Sequence, residues 1–158
     1  LREAQRHLEH VKTLAERSGT PQLYRLPFDL DYLWGRLREA QGRHEEAAAR
    51  YEQYIEDSFP RSLLFRTLRL PRLRLALAYQ KAGRPGEARA AYQEALALHP
   101  AYPRLNYRYA QFLADRGRRE AARTHLRRAL EGWAPADADF RPKQRAETLA
   151  DSLGLGVV

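Results

Sequence analysis

A glycine-arginine pair recurs three times in this 158-residue chain, each time with an alanine five residues after the glycine and a large side chain four residues beyond that. The copies are Gly42-Arg43 with Ala47 and Tyr51, Gly83-Arg84 with Ala88 and Tyr92, and Gly117-Arg118 with Ala122 and Leu126. They recur after 41 and then 34 residues, and a period of that size marks a helical repeat array. Glycine falls where helical periodicity stops, and an acidic residue and an alanine follow where it resumes, the pattern of two helices joined by a tight turn. In the second copy Pro85 follows the turn, where the first turn of a new helix tolerates its missing N–H.

Small residues predict how each hairpin closes. Gly35, Ala76 and Ala110 stand seven residues before the three turn glycines, and Ala47, Ala88 and Ala122 oppose them on the second helices. Small side chains on both helices let the backbones approach. Trp34, Leu75 and Tyr109 then flank the first set, and Tyr51, Tyr92 and Leu126 lie one turn beyond the second, so small and large alternate as facing ridges require.

With these residues in place, the chain resembles the tetratricopeptide repeat family, whose unit is an antiparallel helix pair. Arg69 to Tyr102 is the best copy, with Leu75, Ala76, Tyr79, Gly83, Ala88, Tyr92, Ala95 and Pro100 at the family's positions. A second copy runs over 103–136 with Tyr109, Ala110, Leu113, Gly117, Ala122, Leu126 and Ala129. The first, over 28–60, departs more: Trp34, Arg38 and Tyr54 replace a leucine, an aromatic and a small residue. The resemblance implies an all-α fold, a right-handed superhelical α-solenoid of antiparallel helix pairs. It also implies one repeat domain over 1–158.

The 41-residue interval holds seven extra residues, about two helical turns. Phe59 to Leu70 therefore either lengthens the neighbouring helices or forms a loop around Pro60, and Pro71 predicts a kink or a fresh helix start. Residues 1–18 form an amphipathic helix that echoes the second helix of a truncated repeat. Residues 141–153 form a helix that caps the array. The chain has no Met and opens directly on a helical pattern, which suggests a fragment or a processed product.

Composition limits the chemistry. There is no Cys, so disulfides and cysteine-ligated zinc are excluded, and no run of about 18 apolar residues predicts a transmembrane segment. The compartment stays open between cytoplasm and periplasm, as does the oligomeric state. The 25 Arg against 3 Lys point to a GC-rich, bacterial coding sequence. Residues 59–130 hold 16 basic and 4 acidic side chains, so the excess positive charge is confined to the second and third repeats.

No catalytic set is legible. The sequence predicts no strands, no phosphate-cradling glycine loop and no nucleophile turn. His7 and His10 share a helix without a third metal ligand, and His44, His99 and His125 read as turn or exposed helix residues. No cofactor or metal site is expected, and the chain is expected not to be an enzyme.

Two surfaces stand out. The family's concave wall is built from the first helix of each pair and commonly holds an extended peptide or a helix. Projected here, it carries Asp29, Tyr32, Arg36 and Glu39, then Leu70, Leu73, Arg74, Leu77 and Lys81, then Arg104, Tyr107, Arg108 and Gln111. Arg and Tyr dominate binding hot spots, because one is a planar donor fork and the other a large rigid surface. Some family members clamp a partner's C-terminal carboxylate with Lys and Asn. The comparable positions here, Tyr32, Arg36, Arg74, Arg104 and Arg108, keep positive charge without that pattern, which implies a broader preference for acidic peptides.

The expected function is a non-enzymatic protein-interaction scaffold within a larger bacterial protein or assembly. The second surface is Arg119, Arg123 and Arg127, spaced by four on one helix stripe. Together with the basic 59–130 segment it offers the alternative, contact with an anionic polymer or surface such as nucleic acid, polysaccharide or lipid headgroups. No nucleic-acid-binding fold is recognisable, which disfavours nucleic acid as the partner.

Overall fold

The computed structural model describes residues 1–18, 26–58 and 69–155. Among them it contains eight α-helices and no strand: α1 (Arg2–Ser18), α2 (Leu26–Ala40), α3 (His44–Ser58), α4 (Arg69–Lys81), α5 (Pro85–Leu98), α6 (Pro103–Ala114), α7 (Arg119–Gly132) and α8 (Arg141–Ser152). Pro71 sits in the first turn of α4, so the proline accompanies a fresh helix start. The expected extension or loop over 59–68 lies outside the described residues.

The geometry explains the repeated motif. Gly42, Gly83 and Gly117 have φ of +76°, +76° and +69°, the left-handed conformation that ends a helix and that side-chain-bearing residues resist. The arginine after each glycine sends its N–H back to the helix it leaves: Arg43 to Arg38 O, Arg84 to Tyr79 O and Arg118 to Leu113 O, at 2.9, 3.0 and 2.9 Å. Its own carbonyl then accepts from the motif alanine in the next helix, Ala47, Ala88 or Ala122, at 3.0, 3.0 and 2.9 Å. One residue thus closes one helix and opens the next, which is why glycine, arginine and alanine keep their spacing. Gly154, at φ +69°, ends α8 the same way, with Leu155 N–H bonded to Ala150 O at 2.8 Å.

The chain divides into two compact units, Leu1–Ala91 and Tyr92–Val158, with the division inside α5. In the first, Leu8 and Val11 of α1 pack on buried Leu30, Trp34 and Leu37 of α2. Gly35 closes the α2–α3 hairpin. A Cβ there would stand 2.6 Å from the ring of Tyr51, which is fully buried, so the ring lies directly on the α2 backbone.

In the second unit Tyr92, Tyr109 and Phe112 form an aromatic centre with ring centroids 5.2 to 6.0 Å apart. Buried Ala110, Ala122, Leu126 and Ala129 close α6 against α7, and α8 adds Ala146 and Ala150, with Leu153 just past its end. Of the large flanking side chains, Trp34 and Tyr109 are buried and Leu75 is half-buried.

Candidate functional site

In the first unit, side chains from α2, α3 and α4 converge on one carboxylate. Glu39 accepts from Arg74 Nη1 at 2.8 Å and from the Tyr51 hydroxyl at 3.0 Å. Arg74 Nε donates to the Tyr32 hydroxyl at 3.3 Å, and the Tyr32 ring rests against Tyr51 and Tyr54 at 5.8 and 5.6 Å. The Glu39 and Arg74 side chains are 16% and 25% exposed, enough cover to strengthen the pair. Burial, then the adjacent Glu39 carboxylate, pushes the Tyr51 hydroxyl well above the usual phenol range, so it stays a donor.

Register arranges the rest of this face. Tyr32, Arg36 and Glu39 follow one another at four- and three-residue steps on α2, and Leu70, Arg74, Leu77 and Lys81 do the same on α4. Arg36, Leu70 and Lys81 are exposed and Leu77 is half-buried. Among the described residues Arg36 has no hydrogen-bond or ion-pair partner, whereas Arg50 on α3 is paired with Asp31 at 2.8 Å. The Asp29 side chain lies outside the described residues.

The corresponding set on α6 is more closed. Tyr107 is buried at 6% exposure; its hydroxyl accepts from Gln111 Nε2, and Gln111 Oε1 accepts from Arg108 Nη1, both at 3.0 Å. The Arg108 guanidinium lies 5.7 Å from the Tyr107 ring, which meets Trp133 edge-on at 5.7 Å. Arg104 alone is exposed there.

Two residues projected onto a binding wall are therefore packing residues: Leu73, 3% exposed, and Tyr107. Both stand three residues before the small residue that closes their hairpin, Ala76 or Ala110, and so share its inward face. Tyr32 bears the same relation to Gly35. The spacing carried that signal.

The basic stripe divides. Arg123 donates to Leu153 O from Nε at 2.8 Å and again from Nη2, and to Glu120 from Nη1 at 2.6 Å. Arg119 reaches Ser152 O at 3.2 Å. Both arginines thus satisfy carbonyls at the C-terminal end of α8, where positive charge also meets the negative end of the helix dipole. Arg127 remains exposed. Nearby Arg116 is applied to the Phe112 ring at 3.8 Å.

His125 is a half-buried packing residue rather than an exposed one. Fully buried Asn106 donates Nδ2 to Pro100 O at 2.8 Å and Tyr102 O at 3.1 Å, so its Oδ1 must accept, and His125 Nδ1 supplies that proton at 2.9 Å. Sequence reasoning missed this bridge, because an Asn in a helix gives no sign of a partner 19 residues on.

Hairpins closed by small residues and turned at left-handed glycines define an all-helical repeat protein. Two family models, each described as tetratricopeptide repeat, match residues 71–140 and 29–62, together about two thirds of the sequence. The chain belongs to the tetratricopeptide repeat family.

Its fold is similar to the Yersinia enterocolitica type III secretion translocator chaperone SycD in complex with a peptide of the translocator YopD, with a TM-score of 0.67, 18% identity, and 80% of this chain and 92% of that one covered. PcrH of Pseudomonas aeruginosa, in complex with the chaperone-binding region of PopD, aligns with a TM-score of 0.67 at 16% identity over 86% and 95%. The Sgt2 domain of Aspergillus fumigatus gives 0.62 at 17% over 87% and 84%. No curated protein matches the chain in sequence. No helix among the described residues is long and apolar enough to cross a membrane.

Proposed function

We propose that this protein is a non-enzymatic interaction scaffold whose first unit holds a segment of a partner protein against the α2–α4 face. The observation that carries it is Arg36: an exposed guanidinium with no hydrogen-bond or ion-pair partner among the described residues, on the same face as Tyr32 and beside an α4 stripe in which Leu70 and Leu77 alternate with Arg74 and Lys81. A planar cation and a tyrosine next to accessible aliphatic surface suit a peptide that alternates acidic and apolar side chains. Two of the solved structures of this fold carry a peptide or a chaperone-binding region of another protein, which supports a protein ligand. Arg104 and Arg108 on α6 offer a second, smaller contact of the same chemistry.

Titrating the isotope-labelled chain with a short Leu/Glu peptide tests this reading by NMR. Amide shifts should concentrate at Tyr32, Arg36, Arg74 and Leu77. Shifts confined to the Arg116–Arg127 region would assign binding to the basic stripe and sink the proposal.

A further inference from the structure

We infer that Glu39 is a built-in competitor for the partner's carboxylate, setting how acidic a segment must be to bind; this rests on the α2–α4 reading above. Glu39 already occupies Nη1 of Arg74 at 2.8 Å, the donor an incoming carboxylate would use. Two nearby donors are not taken up by Glu39. The Tyr32 hydroxyl accepts from Arg74 Nε, which leaves its own proton to donate. Arg36 stands between Tyr32 and Glu39 on α2 with no partner among the described residues.

A ligand carboxylate placed at Tyr32 and Arg36 therefore meets an Arg74 that is already half engaged, and a Glu39 that repels it. Glu39 is itself held by the Tyr51 hydroxyl at 3.0 Å, so moving it aside breaks that bond as well as the one to Arg74. The arrangement favours segments whose several carboxylates together outcompete one fixed internal acid, and it rejects weakly acidic ones.

The competitor role and a positioning role for Glu39 predict opposite signs. Glu39→Gln keeps an acceptor for Arg74 and for the Tyr51 hydroxyl while removing the charge. Binding of a fluorescent Leu/Glu peptide, and of its Leu/Gln counterpart, is measured by anisotropy on the full chain. Glu45→Gln, which alters an exposed acid on α3 with no side-chain partner among the described residues, serves as the variant of equal net charge.

Glu39→Gln is expected to tighten the acidic peptide roughly threefold to tenfold, the span of a partly covered ion pair, and to leave the Leu/Gln peptide unchanged. Weaker binding would make Glu39 a positioning residue, and an equal gain from Glu45→Gln would reduce the effect to net charge; either overturns the inference while the site stands. If no protein binds the acidic peptide, the α2–α4 reading falls and the inference with it.

Discussion

The two units use arginine differently. In the first, Arg74 is oriented by side chains, a carboxylate and a phenol, and Arg36 beside it is left unpartnered among the described residues. In the second, Arg123 and Arg119 are bound to backbone carbonyls of α8 and Arg116 covers an aromatic ring. The surplus of positive charge in residues 59–130 therefore overstates the cation available to a ligand. Charge counts locate arginines, but hydrogen-bond partners decide whether an arginine builds the fold or waits at its surface.

The second unit's dependence on internal polar bonds gives the largest expected effect. Asn106→Ala takes the side-chain donor from Pro100 O and one of two donors from Tyr102 O, and leaves the half-buried His125 Nδ1 without its acceptor, and should lower unfolding stability by about 3 kcal/mol in urea melts. A loss below about 1 kcal/mol would show that water replaces the side chain readily.

The first unit relies instead on steric closeness. Gly35→Ala pushes a methyl into the Tyr51 ring and should cost about 2 kcal/mol, whereas an added methyl is ordinarily favourable in a helix. A neutral result would mean that the hairpin opens without penalty.

Arg123→Ala should cost about 1 kcal/mol and raise amide exchange in the last turn of α8, while Arg127→Ala leaves both unchanged. Equal effects would erase the distinction between arginines engaged with the backbone and those left exposed.

The smallest effect is a pH dependence. Burial, then Arg128, depresses the His125 pKa below its ordinary 6.5. The unfolded state then binds the proton more readily, so this contribution to stability is complete above pH 6.5 and is lost as pH falls from there towards the folded-state pKa. Melting temperatures taken across that range should decline on acidification, and His125→Gln should flatten the slope.

The helix pairs were legible because their signals are local: a glycine at positive φ, its arginine and an alanine lie within six residues. So were the buried alanines, which repeat with the hairpin. The pairings that define the sites were not, because Arg74 and Glu39 are 35 residues apart and Arg123 and Leu153 are 30 apart. Only packing brings them together. Leu73 and Tyr107 lie between these cases: their charged neighbours suggested a surface, while their three-residue spacing to Ala76 and Ala110 already assigned them to the hairpin interior.

The most direct test of a partner-binding first unit compares two charge reversals of equal net effect. Arg36→Glu and Arg127→Glu each alter an exposed arginine, one on the α2–α4 face and one on α7. Affinity for the Leu/Glu peptide should fall by about tenfold or more with Arg36→Glu and stay within about twofold with Arg127→Glu, provided both retain the helical spectrum. Equal losses, or a loss confined to Arg127→Glu, would contradict a binding site in the first unit.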